Sequence, residues 1–575
     1  MSSASQRSNN AGTGDIRQRA AAGGGADSSQ IANAAIAADI DQLSKAQGDV
    51  DHLQVATAVG TGEVDQEALT HGVGEVAQFG TVVGDGDVDQ SARALDSIVD
   101  MTQLGISVGS GDVDQSVATV EGVTLSGQLG VAIGDSIVGQ AITNADGLTE
   151  ASQAGLATDD SAVLQSLTNV AGLTFADQSA ATTDSALGLQ QVTNIDGVVV
   201  SSQGLLATDD ALGVQQVGNV VGVSFTDQDL DVADDAFGRQ SAFTVDGLTV
   251  GDQSMIVDGN SGGEQRVTTL GGVTFAGQDA IALDSSLATQ EVFNTGLAVT
   301  DQGAIATDDG IVSQSVGNAE AAWVEQDAVA TDVGIVGQGV ANFGLAVVDQ
   351  EAMATDAAVA TQHVANSGTA FVSQGAGAQD LGVVDQDVVN TALVIGELDA
   401  VAVGTGTADQ LVVNTGAAVV DQEAAAFDSD VSQVAANSSD FLAVDQSAAG
   451  YEGAGIDQTT VGTNQGGYVD QTALAEGGSV DQYAETSGGG TTSQSATIDN
   501  DGSADIFQDG FNVGDGSVAQ TAGISDAEFG SGVAQAGFNA SDDDLTQVDF
   551  LAGDGAVVDV QAHVETTDVI DDVAL

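Results

Sequence analysis

Residues 162–184 read AVLQSLTNVAGLTFADQSAATTD, and this stretch contains nearly one full repeat of the chain. The interval from Gln165 to Gln178 is one position longer than the interval from Gln178 to Gln190. The longer and the shorter interval alternate from about residue 128 to residue 290, and only the shorter one recurs from residue 290 to residue 386. Self-similarity at a fixed short period indicates a solenoid, in which each repeat buries its apolar face by stacking on its neighbours.

The two halves of a repeat differ in sequence. One half carries Gln-x-aliphatic-x-Asn, as in Gln165, Leu167 and Asn169, and two-residue alternation puts these side chains on one face of a strand. Gly172, three residues after the Asn, predicts a turn. The other half places an Asp six residues after its Gln, as at Asp184. This Asp predicts a turn in which the Asp side chain is hydrogen-bonded to its own backbone.

Apolar residues stand three and five positions before the second Gln, as Leu173 and Phe175 do before Gln178. Their parity is opposite to that of the Gln, so we expect a corner or bulge between them and the Gln. Helical repeats are the alternative, because a repeat of about 25 residues is close to seven helical turns. Abundant Gly, Val and Thr, with little Leu, Lys or Glu, favours strands. The complete absence of Pro agrees, since Pro removes a hydrogen bond from a sheet.

The sequence therefore predicts an all-β fold, an elongated β-solenoid of about 18 coils with 24–25 residues each, in two half-coils of 12–13 residues. Coils stacked about 4.8 Å apart would place each Gln over the next, and side-chain amides would bond along the stack. Surface glutamines that mark turns are the alternative. We favour the ladder because the Gln shares parity with the Val and Asn. The predicted ladder residues are Gln140, Asn144, Gln165, Asn169, Gln178, Gln190, Asn194, Gln203, Gln215, Asn219, Gln290, Asn294, Gln314, Asn318, Gln338, Asn342, Gln362 and Asn366.

This alternation of Gln, Asn and Gln over two half-coils resembles the curlin repeat, the β-solenoid unit of curli-type fibres. The resemblance covers roughly residues 60–490. It implies that the internal ladder contains Gln165, Asn169, Gln178, Gln190, Asn194 and Gln203. The chain departs from the curlin pattern in its slightly longer unit, its many more coils and its charge.

The charge of the chain is extreme. Of 575 residues, 85 are Asp or Glu and only 7 are Lys or Arg, for a formal net charge of -78. Because 42% of the residues are hydrophobic and regularly placed, we interpret the charge as a coat on a folded body. Such a coat is typical of adaptation to brine, where the Debye length is roughly 3 Å at 1 M salt. Nucleic acid is not an expected partner, since its phosphates would be repelled.

The two ends differ from the middle. Residues 1–26 are rich in Ser, Gly and Ala and are expected to be flexible, and residues 28–46 are compatible with an amphipathic capping helix. The domain prediction is a basic N-terminal segment at 1–50, a solenoid shaft at 51–495 and a cap or tip module at 496–575, where the Gln spacing becomes uneven. Neither a membrane span nor a signal peptide is expected.

Few residues suggest chemistry. The chain has no Cys, and its four histidines lack metal-site spacing. Residues 84–87 (Gly-Asp-Gly-Asp) and 499–502 (Asp-Asn-Asp-Gly) resemble parts of calcium loops without completing one, so calcium or another cation is the one cofactor considered. Tyr451, Tyr468 and Tyr483 are candidates to face a glycan.

The leading functional hypothesis is therefore a non-enzymatic rod. It would be a virion-surface spike or fibre of a halophilic archaeal virus, attached to a capsid or base protein through residues 1–50 and directed at a host receptor or glycan, as a homo-oligomer. In composition the chain is similar to acidic, repeat-rich vertex proteins of haloarchaeal icosahedral viruses with an internal membrane. The alternatives are a curlin-like extracellular fibre subunit for adhesion or biofilm, and a polysaccharide-acting enzyme on a β-helix.

Overall fold

The computed structural model places most of the chain. It describes residues 4–23, 27–36, 39–49, 51–438, 441–451, 454–462, 467–476, 478–487, 490–499, 505–513, 517–527, 532–539, 545–553 and 557–564. Every regular element among these residues is a β-strand, and this part of the chain contains no helix. The chain divides into two compact units, Met1–Leu297 and Ala298–Leu575.

The first unit contains β1–β18. These strands are β1 (Ala4–Asn10), β2 (Ile16–Gly23), β3 (Ser28–Ala35), β4 (Ile40–Gln47), β5 (His52–Val59), β6 (Val64–His71), β7 (Val73–Val83), β8 (Val88–Val108), β9 (Val113–Ile133), β10 (Ile137–Thr158), β11 (Ala162–Thr183), β12 (Leu187–Thr208), β13 (Leu212–Ala233), β14 (Phe237–Thr244), β15 (Gly247–Val257), β16 (Gly262–Thr269), β17 (Gly272–Ala282) and β18 (Leu287–Asn294).

The second unit contains β19–β40. These strands are β19 (Leu297–Ala306), β20 (Ile311–Asn318), β21 (Ala321–Ala330), β22 (Ile335–Asn342), β23 (Leu345–Ala354), β24 (Val359–Asn366), β25 (Thr369–Asp380), β26 (Val383–Asn390), β27 (Val394–Gly404), β28 (Thr407–Asn414), β29 (Ala418–Phe427), β30 (Asp430–Asn437), β31 (Leu442–Tyr451), β32 (Gly455–Gly462), β33 (Gly467–Ala475), β34 (Ser479–Ser487), β35 (Thr491–Asp499), β36 (Asp505–Val513), β37 (Ser517–Ala527), β38 (Gly532–Asn539), β39 (Leu545–Gly553) and β40 (Val557–Val564).

Each unit is a β-solenoid whose strands pair in parallel with the corresponding strands one coil later. In the first unit Gln165 of β11 lies opposite Gln190 of β12, and the two amides are bonded across a coil of 25 residues. In the second unit Gln338 of β22 lies opposite Gln362 of β24, across a coil of 24 residues. The two units together contain about 20 turns, against the 18 expected from the sequence. The predicted fold class is thereby confirmed.

Inward positions alternate with outward ones along most well-described strands, and in the long strands β9–β13 the alternation is interrupted once, at a corner. In β14, for example, Gly238, Gln240, Ala242 and Thr244 are buried, and the residues between them are not. The core is therefore a thin layer of Val, Ala and small polar side chains between two strands of each coil, with the Gln side chains crossing it. Large residues occupy mainly the outward positions, because the space between the strands is narrow.

Two kinds of corner connect the half-coils. At one corner an Asp adopts the left-handed conformation, with φ between 55° and 67° at Asp159, Asp209, Asp308 and Asp356. Among non-glycine residues this conformation is tolerated best by Asp and Asn, so these residues are turn residues as the sequence predicts. At the other corner Gly172 has φ +117°, and a Cβ there would lie 2.3 Å from the carbonyl oxygen of Gly147 in the coil below. Glycine is required at this corner because the stacked backbones approach so closely.

The position of this second corner differs from the sequence expectation. The burial alternation is interrupted between Asn169 and Thr174, and from Thr174 it runs unbroken through Gln178. The corner therefore precedes Phe175 and does not fall between it and the Gln. Phe175 is 43% exposed, so the expectation of a corner after it was wrong. The apolar residues three positions before the Gln face outward.

The predicted ends also need correction. In place of a capping helix at 28–46 the chain forms β3 and β4, which pair in parallel with β5 and β6. Residues 4–23, expected to be flexible, include β1 and β2. Beyond residue 495 the strands continue in the same pattern, with Gln482 of β34 opposite Gln508 of β36. The described coils there contain 25 to 27 residues, so the uneven Gln spacing is absorbed at corners.

Candidate functional site

Two columns of buried glutamines run through the interior of each unit, one on each of the two half-coils. We name them column A and column B. Column A contains Gln30, Gln54, Gln78, Gln103, Gln128, Gln153, Gln178, Gln203, Gln228, Gln253 and Gln278 in the first unit, and Gln302, Gln326, Gln350, Gln374, Gln422, Gln446, Gln471, Gln494, Gln520 and Gln547 in the second. Column B contains Gln18, Gln42, Gln66, Gln90, Gln115, Gln140, Gln165, Gln190, Gln215, Gln240, Gln265 and Gln290, and then Gln314, Gln338, Gln362, Gln386, Gln410, Gln433, Gln458, Gln482, Gln508 and Gln535.

Most of these amides bond along the stack, and many also bond across it, as Gln190 illustrates. Its Nε2 donates to Oε1 of Gln165 in the preceding coil at 2.9 Å and to the backbone oxygen of Gly204, in the other half-coil of β12, at 3.0 Å. Its Oε1 accepts from Nε2 of Gln215 at 2.9 Å. A buried amide without partners would cost about 1–3 kcal/mol, so these bonds fix the register of successive coils and join the two strands of each coil.

A third column of side-chain amides lies four residues after column B. Asn144 donates to Asn169 at 3.0 Å, and Asn169 donates to Asn194 at 2.9 Å. These bonds point toward the following coil, whereas the glutamine bonds point toward the preceding one. Thr244 and Thr269 replace Asn in this column, and each hydroxyl bonds to a Thr five residues later. In the second unit the Asn bonds resume at Asn318, Asn342, Asn366 and Asn390.

All eighteen residues predicted from the sequence to form the ladder are buried in the structure, at 0–5% exposure. They fall on three separate columns: Gln178 and Gln203 in column A, the other glutamines in column B, and the asparagines in their own column. The bonds from many of the glutamines to the backbone of the opposite half-coil were not expected from the sequence. The spacing of glutamines along the sequence does not indicate which part of the backbone lies across the core.

Column A is interrupted within the second unit, at a position that the sequence analysis overlooked. Leu398 lies in register with Gln374 below and Gln422 above, and it is fully buried. As a result Oε1 of Gln374 has no hydrogen-bond partner among the described residues. Nε2 of Gln422 donates to the backbone oxygen of Gln410 at 3.3 Å. The missing Gln in the series between 386 and 410 was the available sequence signal.

Carboxylates also form columns, on the outer surface. In the first unit Asp41, Asp65, Asp89 and Asp114 stand one above another beside column B. Burial, together with Asp89 and Asp41, raises the pKa of Asp65 to about 7, and burial is the main cause of the raised pKa of Asp89 and of Asp114. Arg17 lies 2.9 Å from Asp41 at one end of this column, in a groove of about 710 Å³.

The second unit carries an acidic row beside column A, with Glu325, Asp349, Glu397, Asp421 and Asp445 one residue before the core positions and Ser373 between Asp349 and Glu397. Repulsion from Asp301 is the main cause of the raised pKa of Glu325, while burial is the main cause of the raised pKa at Asp421 and Asp445.

An outward-facing apolar row lies two residues before this acidic row. It contains Trp323, Val347, Phe371, Ile395 and Val419 in register, and Tyr468 lies two coils beyond Val419. The two rows line a groove of about 530 Å³. The first unit has a comparable groove of about 660 Å³ along Leu125, Glu150, Phe175 and Val200.

The histidines, calcium-loop fragments and tyrosines that the sequence suggested for chemistry have the following surroundings. His52 is buried, and burial lowers its pKa. Among the described residues no group of three or more His, Asp and Glu is placed to hold a metal ion. Of the two calcium-loop fragments, Asp87 accepts a bond from the backbone of Asp112, and residues 500–504 lie outside the described residues. Tyr451 stacks on Phe427, and Tyr483 donates to Glu485 at 2.8 Å.

These features define the class: the chain is a β-solenoid repeat protein with stacked Gln ladders. Comparison with known protein families, curated proteins and solved structures finds no match. No helix in the described part of the chain is long and apolar enough to cross a membrane.

Proposed function

We propose that this protein is a structural spike or fibre, carried on the virion of a halophilic archaeal virus and used to attach the particle to its host. The observation that carries the proposal is the pair of buried glutamine columns. They repeat one bonding pattern along each unit, so the fold is stabilised by the stacking of coils. This arrangement is that of a scaffold and not of a catalytic cavity. Such a scaffold presents rows of surface residues in register at a fixed spacing, which suits repeated contacts with a host surface.

The acidic rows support a halophilic setting. Burial and the carboxylates of Asp89 and Asp41 raise the pKa of Asp65, and repulsion from Asp301 raises the pKa of Glu325, which means that the folded chain holds like charges close together. At about 1 M salt the Debye length of roughly 3 Å is shorter than the distance between coils, so the repulsion falls. In this proposal residues 1–50 contact a capsid or base protein, and a surface farther along the chain contacts the host receptor or glycan.

Electron microscopy of the purified full-length chain in molar KCl tests the proposal. If the protein is a spike, the micrographs show discrete particles of one length. In a separate binding assay, fluorescently labelled protein binds saturably to cells of a halophilic archaeon. Particles that lose their shape when the salt is diluted support the halophilic setting, whereas an unfolding midpoint that is independent of KCl contradicts it.

A curlin-like extracellular fibre subunit is the second candidate. The observation that favours it is the combination of two Gln columns with one Asn column, the pattern that the curlin resemblance implies. The same micrographs separate the candidates. Filaments that lengthen with time and protein concentration would support the fibre and contradict the spike.

A further inference from the structure

The groove on the second unit combines two surface rows, which we name the apolar row (Trp323, Val347, Phe371, Ile395 and Val419) and the acidic row (Glu325, Asp349, Glu397, Asp421 and Asp445). Trp323 is 57% exposed and Phe371 is 41% exposed, although both belong to well-paired strands. Because residues two apart on a strand share a face, both rows point outward together. They run parallel, roughly 7 Å apart, with one residue of each in most coils.

The acidic row has no Lys or Arg counter-charge within its own unit. All seven Lys and Arg residues of the chain lie at or before Arg266, so residues 298–575 contain none. In this unit His363 approaches a carboxylate, that of Asp387, but His363 stands next to column B on the other strand of the coil. A second copy of this unit would oppose carboxylates with carboxylates, and nucleic acid would be repelled.

The occupant that fits is therefore apolar along one stripe and positively charged along the next. An α-helix places side chains of one stripe about 5.4 Å apart, close to the roughly 4.8 Å spacing of the coils. A helix of about 20 residues would span the roughly 30 Å from the coil of Trp323 to the coil of Tyr468. Lysine and arginine stripes beside an apolar stripe are an established mode of helix-in-groove recognition.

We propose that this groove binds a basic amphipathic helix of another protein, lying along the stack with its apolar stripe on the apolar row and its cationic stripe on the acidic row. This interaction does not rest on the proposed spike function, because any assembly built on the solenoid would present the same rows. Apolar contact supplies most of the affinity, and the carboxylates orient the helix and exclude acidic partners.

Trp323 is the only tryptophan of the chain and lies within the groove, so it reports binding directly. The probe is a synthetic helical peptide of about 20 residues with a Leu stripe and an adjacent Lys stripe, titrated into the full-length protein. We expect a saturable blue shift of the Trp323 emission. A peptide with Glu in place of Lys, and a scrambled peptide of the same composition, should each bind at least tenfold more weakly.

Two variants locate the contact. The double variant F371S/I395S changes outward-facing residues only, and we expect it to weaken binding at least tenfold while the circular dichroism spectrum is unchanged. The matched control is F343S, because Phe343 is 73% exposed and does not line the groove. The variant E397Q/D421N should reduce both the affinity and its dependence on salt.

Three results would overturn the proposal. They are an emission shift of equal size with the scrambled peptide, an equal loss of affinity in F343S and F371S/I395S, and displacement of the peptide by a neutral oligosaccharide at lower concentrations than by unlabelled peptide. The last result would assign the groove to a glycan.

Discussion

Opposite substitutions at two positions of column A test whether amide stacking or apolar burial stabilises the core. Gln350 donates to Gln326 at 2.6 Å and accepts from Gln374 at 2.8 Å, and it is fully buried. Gln350→Leu removes both bonds and orphans one buried amide group on each neighbour. Leu398→Gln does the reverse, because it provides a donor for the orphaned oxygen of Gln374 and an acceptor for Gln422.

The magnitude follows from two opposing terms. Orphaning two buried amide groups costs about 2 kcal/mol each, within the range of about 1–3 kcal/mol. Burying Leu in place of Gln returns about 2 kcal/mol. The net loss for Q350L is about 2 kcal/mol, which corresponds to a roughly 30-fold increase in local opening. L398Q should stabilise its surroundings by a similar amount, although it places a polar side chain in the core.

Hydrogen exchange measured by mass spectrometry is the appropriate assay, because a solenoid unfolds locally and one global free energy does not describe it. Peptides covering β23, β25 and β27 should exchange about 30-fold faster in Q350L and about 30-fold slower in L398Q. Glu351→Leu, at the exposed neighbouring position, is the control and should change exchange little. Faster exchange in L398Q together with slower exchange in Q350L would refute the ladder as the stabilising element.

Three further predictions concern corners, surface charge and the Asn column. Gly172→Ala should destabilise β10–β12 by several kcal/mol, because its Cβ would lie 2.3 Å from a backbone oxygen, whereas Gly204→Ala, whose Cβ meets no described atom within 4 Å, should be neutral in thermal unfolding. Because the folded state raises the pKa of Asp65 to about 7, its contribution to stability is present at pH 4 and is lost as the pH rises toward 7. Asp65→Asn should therefore reduce the loss of unfolding free energy between pH 5 and pH 8 by about 1 kcal/mol after allowance for solvent screening, which is observed as a smaller fall in melting temperature, and an unchanged pH profile would contradict this cause. The double variant T244N/T269N should extend the Asn column and slow exchange in β14 and β16, and faster exchange there would show that the Thr pairs fit better.

Much of the core could be predicted from the spacing of residues along the sequence, for a physical reason. An inward Gln is costly unless another Gln lies above or below it, so the period of the chain is preserved wherever coils stack. Left-handed corners leave a similar trace, because few residues other than Gly tolerate them as well as Asp does at Asp209 and Asp356. The all-β class, the β-solenoid and the stacked glutamines followed from these two constraints.

The errors arose where strand and corner cannot be separated in one dimension. Ile31, Ile36, Ile40 and Leu43 are spaced as on a helix, but a corner resets the alternation between β3 and β4, and Ile40 is the only one of the four that is buried. The same reset, between Asn169 and Thr174, turned Phe175 outward.

Sequence by itself determined the repeat, the class of fold and the identity of the buried amides, because each depends on a local cost that recurs in every coil. Tertiary structure alone decided which backbone groups the glutamines bond to across the core and which surface residues form rows. Those relations depend on the length of each corner and on the register of neighbouring coils. The groove lined by Trp323 and Glu397 could therefore be identified only from the stacked coils of the structure.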